Sequence, residues 1–272
     1  IDGGAGTDEA VYTVSSSGFV IYRIDANYIT VKDTNSVNNQ GIDTIYTNVE
    51  QIRFSDITLD LTSMVFVLNG DGWGSSVPWT GTAAIDVYDA TPAVDELHGG
   101  DGNDRLYGKR GDDTIYGDGG NDLLQGDEGN DTIYGGTGND QMHGNAGDDY
   151  LDGGADTDTA NYSSATSGVT IDLNIAGAQN TVGAGIDTLV SIESIFGSAY
   201  DDILTGDAGN NGITAGSGND IIDAGGGDDF VQGGGGVDTI IYTSASSGVT
   251  MDIGNNAGQI TGGSGRDTVQ GF

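Results

Sequence analysis

From residue 97 to 161 a bulky apolar side chain returns at every ninth position, in a polar setting that scarcely varies. Leu106, Ile115, Leu124, Ile133, Met142, Leu151 and Ala160 take the eighth place of seven units, which begin at Gly99, Gly108, Gly117, Gly126, Gly135, Gly144 and Gly153. The fourth place holds Gly102, Gly111, Gly120, Gly129, Gly138 and Gly147, and Asp156 in the last unit. The sixth place is aspartate throughout: Asp104, Asp113, Asp122, Asp131, Asp140, Asp149 and Asp158. A second block starts at Gly197, Gly206, Ala215, Ala224 and Gly233, with Asp202, Asn211, Asp220, Asp229 and Asp238 sixth and Leu204, Ile213, Ile222, Val231 and Ile240 eighth. Residues 3–11, GGAGTDEAV, make one more unit with Asp8 sixth and Ala10 eighth.

A single apolar residue flanked by two polar ones predicts a short strand with its middle side chain turned inward. The glycines between strands predict tight turns, because glycine accepts positive φ. Two strands and two turns then close a coil of 18 residues, and coils stack ~4.8 Å apart in parallel sheets. The expected fold class is all-β, a parallel β-roll. Residues 12–68 alternate as strands do in FVIYRI, YITVK, DTIYTNVEQIRF, ITLDL and MVFVL, and no helical period occurs anywhere.

A longer period lies over the short one. TANYSSATSGVTIDL at 159–173 returns 80 residues later as TIIYTSASSGVTMDI, and Asp187-Thr188 returns as Asp267-Thr268 at the same offset. The organisation expected from this is a block end at 1–11, a β-rich flank at 12–68 and a connector or cap at 69–96, which carries Trp73 and Trp79. There follow a seven-unit roll at 97–161, a flank at 162–196, a five-unit roll at 197–241 and a truncated copy of the flank at 242–272. A chain that opens and closes in mid-module reads as a piece of a longer protein.

Charge supplies what the apolar pattern lacks. One aliphatic per nine residues does not offset the entropy of ordering nine residues, many of them glycine, so the unit needs another source of stability. The chain holds 42 acids against seven Lys plus Arg, a net charge of −35. That balance repels nucleic acid and anionic membranes and attracts cations. There is no cysteine, which excludes disulfides and thiolate metal sites. No apolar run approaches the ~18 residues of a membrane span, and no signal peptide opens the sequence. Stacked coils bring sixth-place aspartates together with turn carbonyls, and hard oxygen ligands in a flexible cage favour Ca²⁺ over Mg²⁺. If each ion lies between turns two units apart, the first block offers about five sites and the second about three. The expected ligand set is the sixth-place series including Asp8, with the backbone of the first- and fourth-place glycines from Gly99 to Gly147. Asp8 and Asp202 sit at block ends with fewer stacked partners. Acids elsewhere in the unit, such as Asp101, Asp118 and Asp127, read as solvated turn residues.

The pattern G-G-x-G-x-D-x-U-x, as in GGTGNDQMH at 135–143, resembles the RTX (repeats-in-toxin) proteins over 1–11, 97–161 and 197–241. The resemblance implies a Ca²⁺-binding β-roll, export by a type I secretion machinery without an N-terminal signal peptide, and folding outside the cell or at its surface. Enzyme motifs are lacking: there is no H-E-x-x-H, Gly72-Trp73-Gly74-Ser75-Ser76 does not fit a nucleophile elbow, and His98 and His143 sit at outward-facing ninth places. The expectation is a non-enzymatic, calcium-dependent structural module. The alternatives are an adhesin or glycan-binding piece, with cell-surface glycan or neighbouring copies as partners, or the non-catalytic C-terminal part of a secreted exoenzyme.

Overall fold

The computed structural model describes residues 94–249 without a break, together with 79–81, 85–90, 92, 259–260 and 264–272. Before residue 79 it describes the backbone of the strands Glu9–Val11, Phe19–Asp25, Tyr28–Asp33, Ile42–Tyr46, Gln51–Arg53, Thr58–Asp60 and Phe66–Asn69. Asp8 and Trp73 lie outside the described residues. Among those described there is no helix, so none crosses a membrane.

The nine-residue period becomes a parallel β-roll. Successive units alternate between two sheets, so each strand pairs with the strand two units on: Leu106 lies over Leu124 and Leu124 over Met142 in one sheet, Ile115 over Ile133 and Ile133 over Leu151 in the other. The strands are longer than the apolar triplet predicts. Arg105–Arg110, Thr114–Gly119, Leu123–Glu128, Thr132–Thr137, Gln141–Ala146 and Tyr150–Ala155 each run six residues, from the seventh place into the third of the next unit. They pass through a left-handed second-place residue, such as Asp118 at φ 67° or Asp127 at φ 78°. The asparagine and aspartate side chains at these places tolerate that conformation better than most.

The eighth-place side chains form the core. Leu97, Leu106, Ile115, Leu124, Ile133, Met142 and Leu151 are sealed from solvent, as are Ile195, Leu204, Ile213, Ile222 and Val231 further along. Burial of one aliphatic of this kind contributes ~1.5–3 kcal/mol.

Three parallel sheets carry the roll. An eleven-stranded sheet runs from Phe66–Asn69 through both blocks to Arg266–Gln270 and ends on the antiparallel strand Gln259–Ile260. A seven-stranded sheet faces it from Trp79–Thr80 to Ile186–Val190 and ends on the antiparallel strand Gln179–Asn180. A four-stranded sheet of Thr170–Asp172, Ile203–Thr205, Ile221–Asp223 and Thr239–Ile241 faces it thereafter. Phe19–Asp25, Tyr28–Asp33 and Ile42–Tyr46 form a separate antiparallel sheet, in keeping with the alternation seen there.

Two segments join the roll that the sequence placed outside it. Strands from the expected connector, 69–96, join the roll: Asp86–Asp89 pairs with Arg105–Arg110, and Glu96–His98, which begins at the connector's last residue, pairs with Thr114–Gly119. Gly81, Asp86 and Tyr88, then Ala90, Asp95 and Leu97, stand in the first, sixth and eighth places of two degenerate units. Tyr88 in place of an aliphatic, and the loss of fourth-place glycine, hide them from the period. The flank at 162–196 likewise supplies Ile186–Val190 to the seven-stranded sheet and Ser194–Phe196 to the eleven-stranded one.

Candidate metal centre

Each sixth-place aspartate closes a turn and begins a strand, and the 18-residue coil places its carboxylate beside the backbone of the coil before. One oxygen of that carboxylate accepts a hydrogen bond from the main-chain N–H of the preceding sixth-place residue. Asp104 N–H donates to Asp122 Oδ1 at 2.7 Å, Asp113 to Asp131 at 2.8 Å, Asp122 to Asp140 at 2.8 Å, Asp131 to Asp149 at 2.9 Å and Asp140 to Asp158 at 2.8 Å. Asp86 and Asp95 extend the two ladders backwards by donating to Asp104 and Asp113. In the second block Asp202 donates to Asp220 at 2.9 Å, Asn211 to Asp229 at 2.9 Å and Asp220 to Asp238 at 3.1 Å.

The other oxygen is left without a partner. Oδ2 of Asp104, Asp113, Asp122, Asp131, Asp140, Asp149 and Asp158, and of Asp220, Asp229 and Asp238, is buried with no hydrogen-bond donor among the described residues. A carboxylate oxygen shut away from water without compensation is costly, and a native chain does not repeat that cost unit after unit without a reason.

The first-place glycines show what these oxygens face. A β-carbon at Gly117 would lie 2.5 Å from Asp122 Oδ2 and 2.5 Å from the carbonyl oxygen of Gly135, one coil on. At Gly99 the corresponding distances are 2.7 Å to Asp104 Oδ2 and 2.6 Å to Gly117 O, and at Gly108 they are 2.5 Å to Asp113 Oδ2 and 2.8 Å to Gly126 O. Gly126, Gly135, Gly144, Gly153 and Gly233 likewise face the Oδ2 of their own aspartate. A cradle of acceptor oxygens, carboxylate and carbonyl, is therefore kept open by the absence of a side chain. The fourth-place glycines serve a different end. Gly102, Gly111, Gly120, Gly129, Gly138 and Gly147 all have φ between 112° and 147°, and a β-carbon at Gly120 would run into the carbonyl oxygen of Gly102.

The electrostatics agree with the geometry. Burial, opposed by the main-chain hydrogen bond and reinforced by neighbouring aspartates, pushes the carboxyls of Asp104 and Asp113 up to about 7 and that of Asp149 to about 8. Asp122, Asp131, Asp140, Asp158 and Asp220 rise to about 6 and Asp229 to about 7, again chiefly through burial. Such a set is uncomfortable as bare anions and would be relieved by a cation. Among the described residues no three acidic or histidine side chains converge on one point. Each coil supplies one carboxylate, and backbone carbonyls supply the remaining oxygens, a donor set that suits Ca²⁺.

Some positions depart from the pattern. Asp202 has both oxygens satisfied, by Val169 N–H and the Ser198 hydroxyl on one and by Ser198 N–H on the other, at 2.6–2.8 Å. Asp187, Glu193 and Asp267 complete the ladders by accepting from Asp149, Asp158 and Asp229. They lie 38, 35 and 38 residues after their donors, so the nine-residue period misses them. The 80-residue recurrence of Asp187 as Asp267 was the signal for two of the three.

The fifth place carries its own ladder, which the sequence reading did not include. Asn121 N–H donates to Asn103 Oδ1, Asn139 to Asn121 and Thr157 to Asn139, and a second column runs from Asp112 through Asn130 to Asp148. Acids elsewhere are also bonded: Asp118, exposed, accepts from Gly100 N–H, and Asp127, half-buried, accepts from Gln125. Both histidines stand off the acid columns. The His98 ring stacks 4.3 Å from that of Tyr116, which stacks 5.0 Å from that of Tyr134 on the outer face of the roll.

Comparison with known families matches the chain to the RTX calcium-binding nonapeptide repeat (4 copies) over residues 89–124, 98–133, 125–160, 191–222 and 213–240. The matched stretches are the coils that carry the ladders, and the first begins at Asp89, within the degenerate units. Comparison with curated proteins gives no match. With their parallel β-roll and two ranks of GGxGxD turns, residues 89–160 and 191–240 are RTX calcium-binding nonapeptide repeats.

Proposed function

We propose that this chain is a structural module whose folding is switched on by Ca²⁺, part of a large protein exported to the cell surface or medium. The observation that carries this reading is the row of buried, donor-less Oδ2 atoms facing carbonyl oxygens across the first-place glycines. In this reading Asp104, Asp113, Asp122, Asp131, Asp140, Asp149 and Asp158 hold the ions of the first block, and Asp220, Asp229 and Asp238 those of the second. The carbonyls around the first- and fourth-place glycines provide the remaining ligands. About five ions in 97–161 and about three in 197–241 follow from sharing each site between adjacent coils. Bound Ca²⁺ supplies positive charge and replaces the hydration that the carboxylates lose.

The chain's own residues do the rest. Oδ1 of each aspartate fixes register through the ladder, glycine keeps the cradle open, and the eighth-place aliphatic seals the interior. Where calcium is scarce, stacked carboxylates repel one another and the block stays unfolded. Such a chain is competent for export as an unfolded thread and gains its shape where calcium is abundant. A structural role, with no catalysis in this chain, follows from the same reading.

Circular dichroism tests it directly. In EGTA the spectrum is expected to be mostly coil, and Ca²⁺ titrated into the millimolar range is expected to bring up β signal cooperatively. A spectrum that Ca²⁺ leaves unchanged would overturn the reading.

A further inference from the structure

The ladder of donor-less oxygens stops after Asp158 and resumes at Asp220, inside the second block. Asp149 and Asp158 have a bare Oδ2, and so do Asp220, Asp229 and Asp238 beyond. Four residues occupy the sixth-place positions in between: Asp187 follows Asp149, Glu193 follows Asp158, Asn211 follows Glu193, and Asp202 precedes Asp220.

At three of the four, protein donors satisfy the side chain. Asp187 Oδ1 takes the usual ladder bond from Asp149, but its Oδ2 accepts from the Tyr162 hydroxyl at 3.1 Å and from the Thr181 hydroxyl at 3.1 Å. Tyr162 is 3 % exposed and Thr181 not at all, so these donors are sealed in with their acceptor. Asp202 has both oxygens taken by Ser198 and Val169. Asn211 accepts from Asp207 N–H at 2.9 Å, and its amide nitrogen donates to the Glu193 carbonyl at 3.3 Å. The Asn211 oxygen takes the cradle place, beside Gly206 and the Ala224 carbonyl, and there Asp207 N–H satisfies it, while the amide nitrogen stands on the ladder side. Glu193, one methylene longer than aspartate, reaches back to Asp158 N–H at 3.0 Å.

The same segment is where the sheets change over. The seven-stranded sheet closes at Ile186–Val190 under an antiparallel strand in which Gln179 faces Asp187, while the four-stranded sheet opens at Thr170–Asp172. Only the eleven-stranded sheet passes through, by way of Ser194–Phe196. Eighty residues on, the arrangement starts again. Asp229 donates to Asp267, Gln259 faces Asp267 across an antiparallel pair, and burial together with the Asp267 carboxylate raises the Tyr242 phenol above its ordinary range.

We infer that residues 162–211 are an ion-free joint, in which Tyr162, Thr181, Ser198 and the Asp207 N–H answer the oxygens that the blocks leave to calcium, so that the ion array is divided into two sets that load separately. This rests on the calcium reading above. In a stacked-repeat protein coupling passes between nearest neighbours, and a stretch whose stability does not depend on the ion interrupts it.

Hydrogen exchange with mass spectrometry, read peptide by peptide on the whole chain during a Ca²⁺ titration, tests the joint. For Asp131→Ala, protection of peptides from 105–160 is expected to need roughly fivefold more Ca²⁺ or to be lost, while the midpoint for 212–235 stays in place. Asp220→Ala is expected to do the reverse. If either variant moves both sets together, or abolishes protection everywhere, the joint does not separate them and the inference fails. Asn211→Asp, which puts a charged carboxylate in place of the neutral amide and restores the sixth-place residue of the blocks, is expected to add one Ca²⁺ per chain in equilibrium dialysis and to draw the two midpoints together. An unchanged ion count in that variant would also overturn the inference. If the unaltered chain gains no protection anywhere with Ca²⁺, it is the calcium reading that fails rather than the joint.

Discussion

Replacing Asp131 by asparagine is expected to change stability in opposite directions with and without calcium. Asp131 is 1 % exposed; its Oδ1 accepts from Asp113 N–H at 2.8 Å, its Oδ2 has no donor, and burial lifts its carboxyl to about 6. An unburied aspartate ionises near 3.9, so holding this one charged in the ion-free roll at neutral pH costs at most about 3 kcal/mol, less whatever water screens at the turn edge. Asparagine retains the Oδ1 acceptor, and with it the ladder bond worth roughly 1 kcal/mol. It also removes the buried charge and presents a donor toward the carbonyl side of the cradle, where a β-carbon at Gly126 would meet Asp131 Oδ2. Without calcium, Asp131→Asn is therefore expected to be more stable than the unaltered chain. With calcium it loses a charged ligand, and its Ca²⁺ midpoint is expected to rise roughly tenfold or more. The assay is far-ultraviolet circular dichroism under two conditions. One is EGTA with enough trimethylamine N-oxide to leave the unaltered chain half folded, and the other is a plain Ca²⁺ titration. If Asp131→Asn loses stability in both, the side chain acts only through its turn hydrogen bond, and the charge argument is refuted.

Acidity is expected to act on the ion-free chain with the same sign. The folded-state values of about 6 to 8 for Asp104, Asp113, Asp122, Asp131, Asp140 and Asp149 exceed the unfolded value, so the folded form binds more protons. That contribution to stability is complete below about pH 4 and is lost as pH rises through the folded values, so β signal in EGTA should grow on going from pH 7.5 to 5. In calcium the protons compete, and the Ca²⁺ midpoint should rise over the same interval; a midpoint independent of pH would count against ligation by these groups. Gly120→Ala sets a side chain at φ 133° against the Gly102 carbonyl, whereas Gly119→Ala meets nothing closer than the Thr137 hydroxyl at 3.3 Å. The first is expected to cost at least ~1–3 kcal/mol in calcium urea melts and the second far less; equal losses would refute the stacking argument. Ile133→Ala empties a fully buried place between Ile115 and Leu151 and is expected to cost ~2–5 kcal/mol in the same melts, against little for the exposed Val237→Ala.

Much of this molecule is legible in one dimension, because every coil meets only its neighbours. The nine-residue spacing of Leu106, Ile115 and Leu124 determines which side chains point inward, which residues pair and where the turns lie. The aspartate register determines that carboxylates stack along two edges. A repeat pattern carries this information locally, since each unit adopts the same backbone and stacking only multiplies it. What escapes is whatever departs from the period. Asp86 and Asp95 sit in units whose fourth-place glycine is gone, and Asp187, Glu193 and Asp267 reach their columns after detours of 35 or 38 residues that no fixed spacing anticipates. The outward Tyr116–Tyr134 stack and the fifth-place asparagine ladder depend on neighbours a full coil away. The sequence by itself determined the coil, the core and the acid columns. Only the tertiary structure decided which carboxylate oxygens are left bare and which are answered by Tyr162, Thr181 and Ser198, because that depends on donors that depart from the repeated pattern.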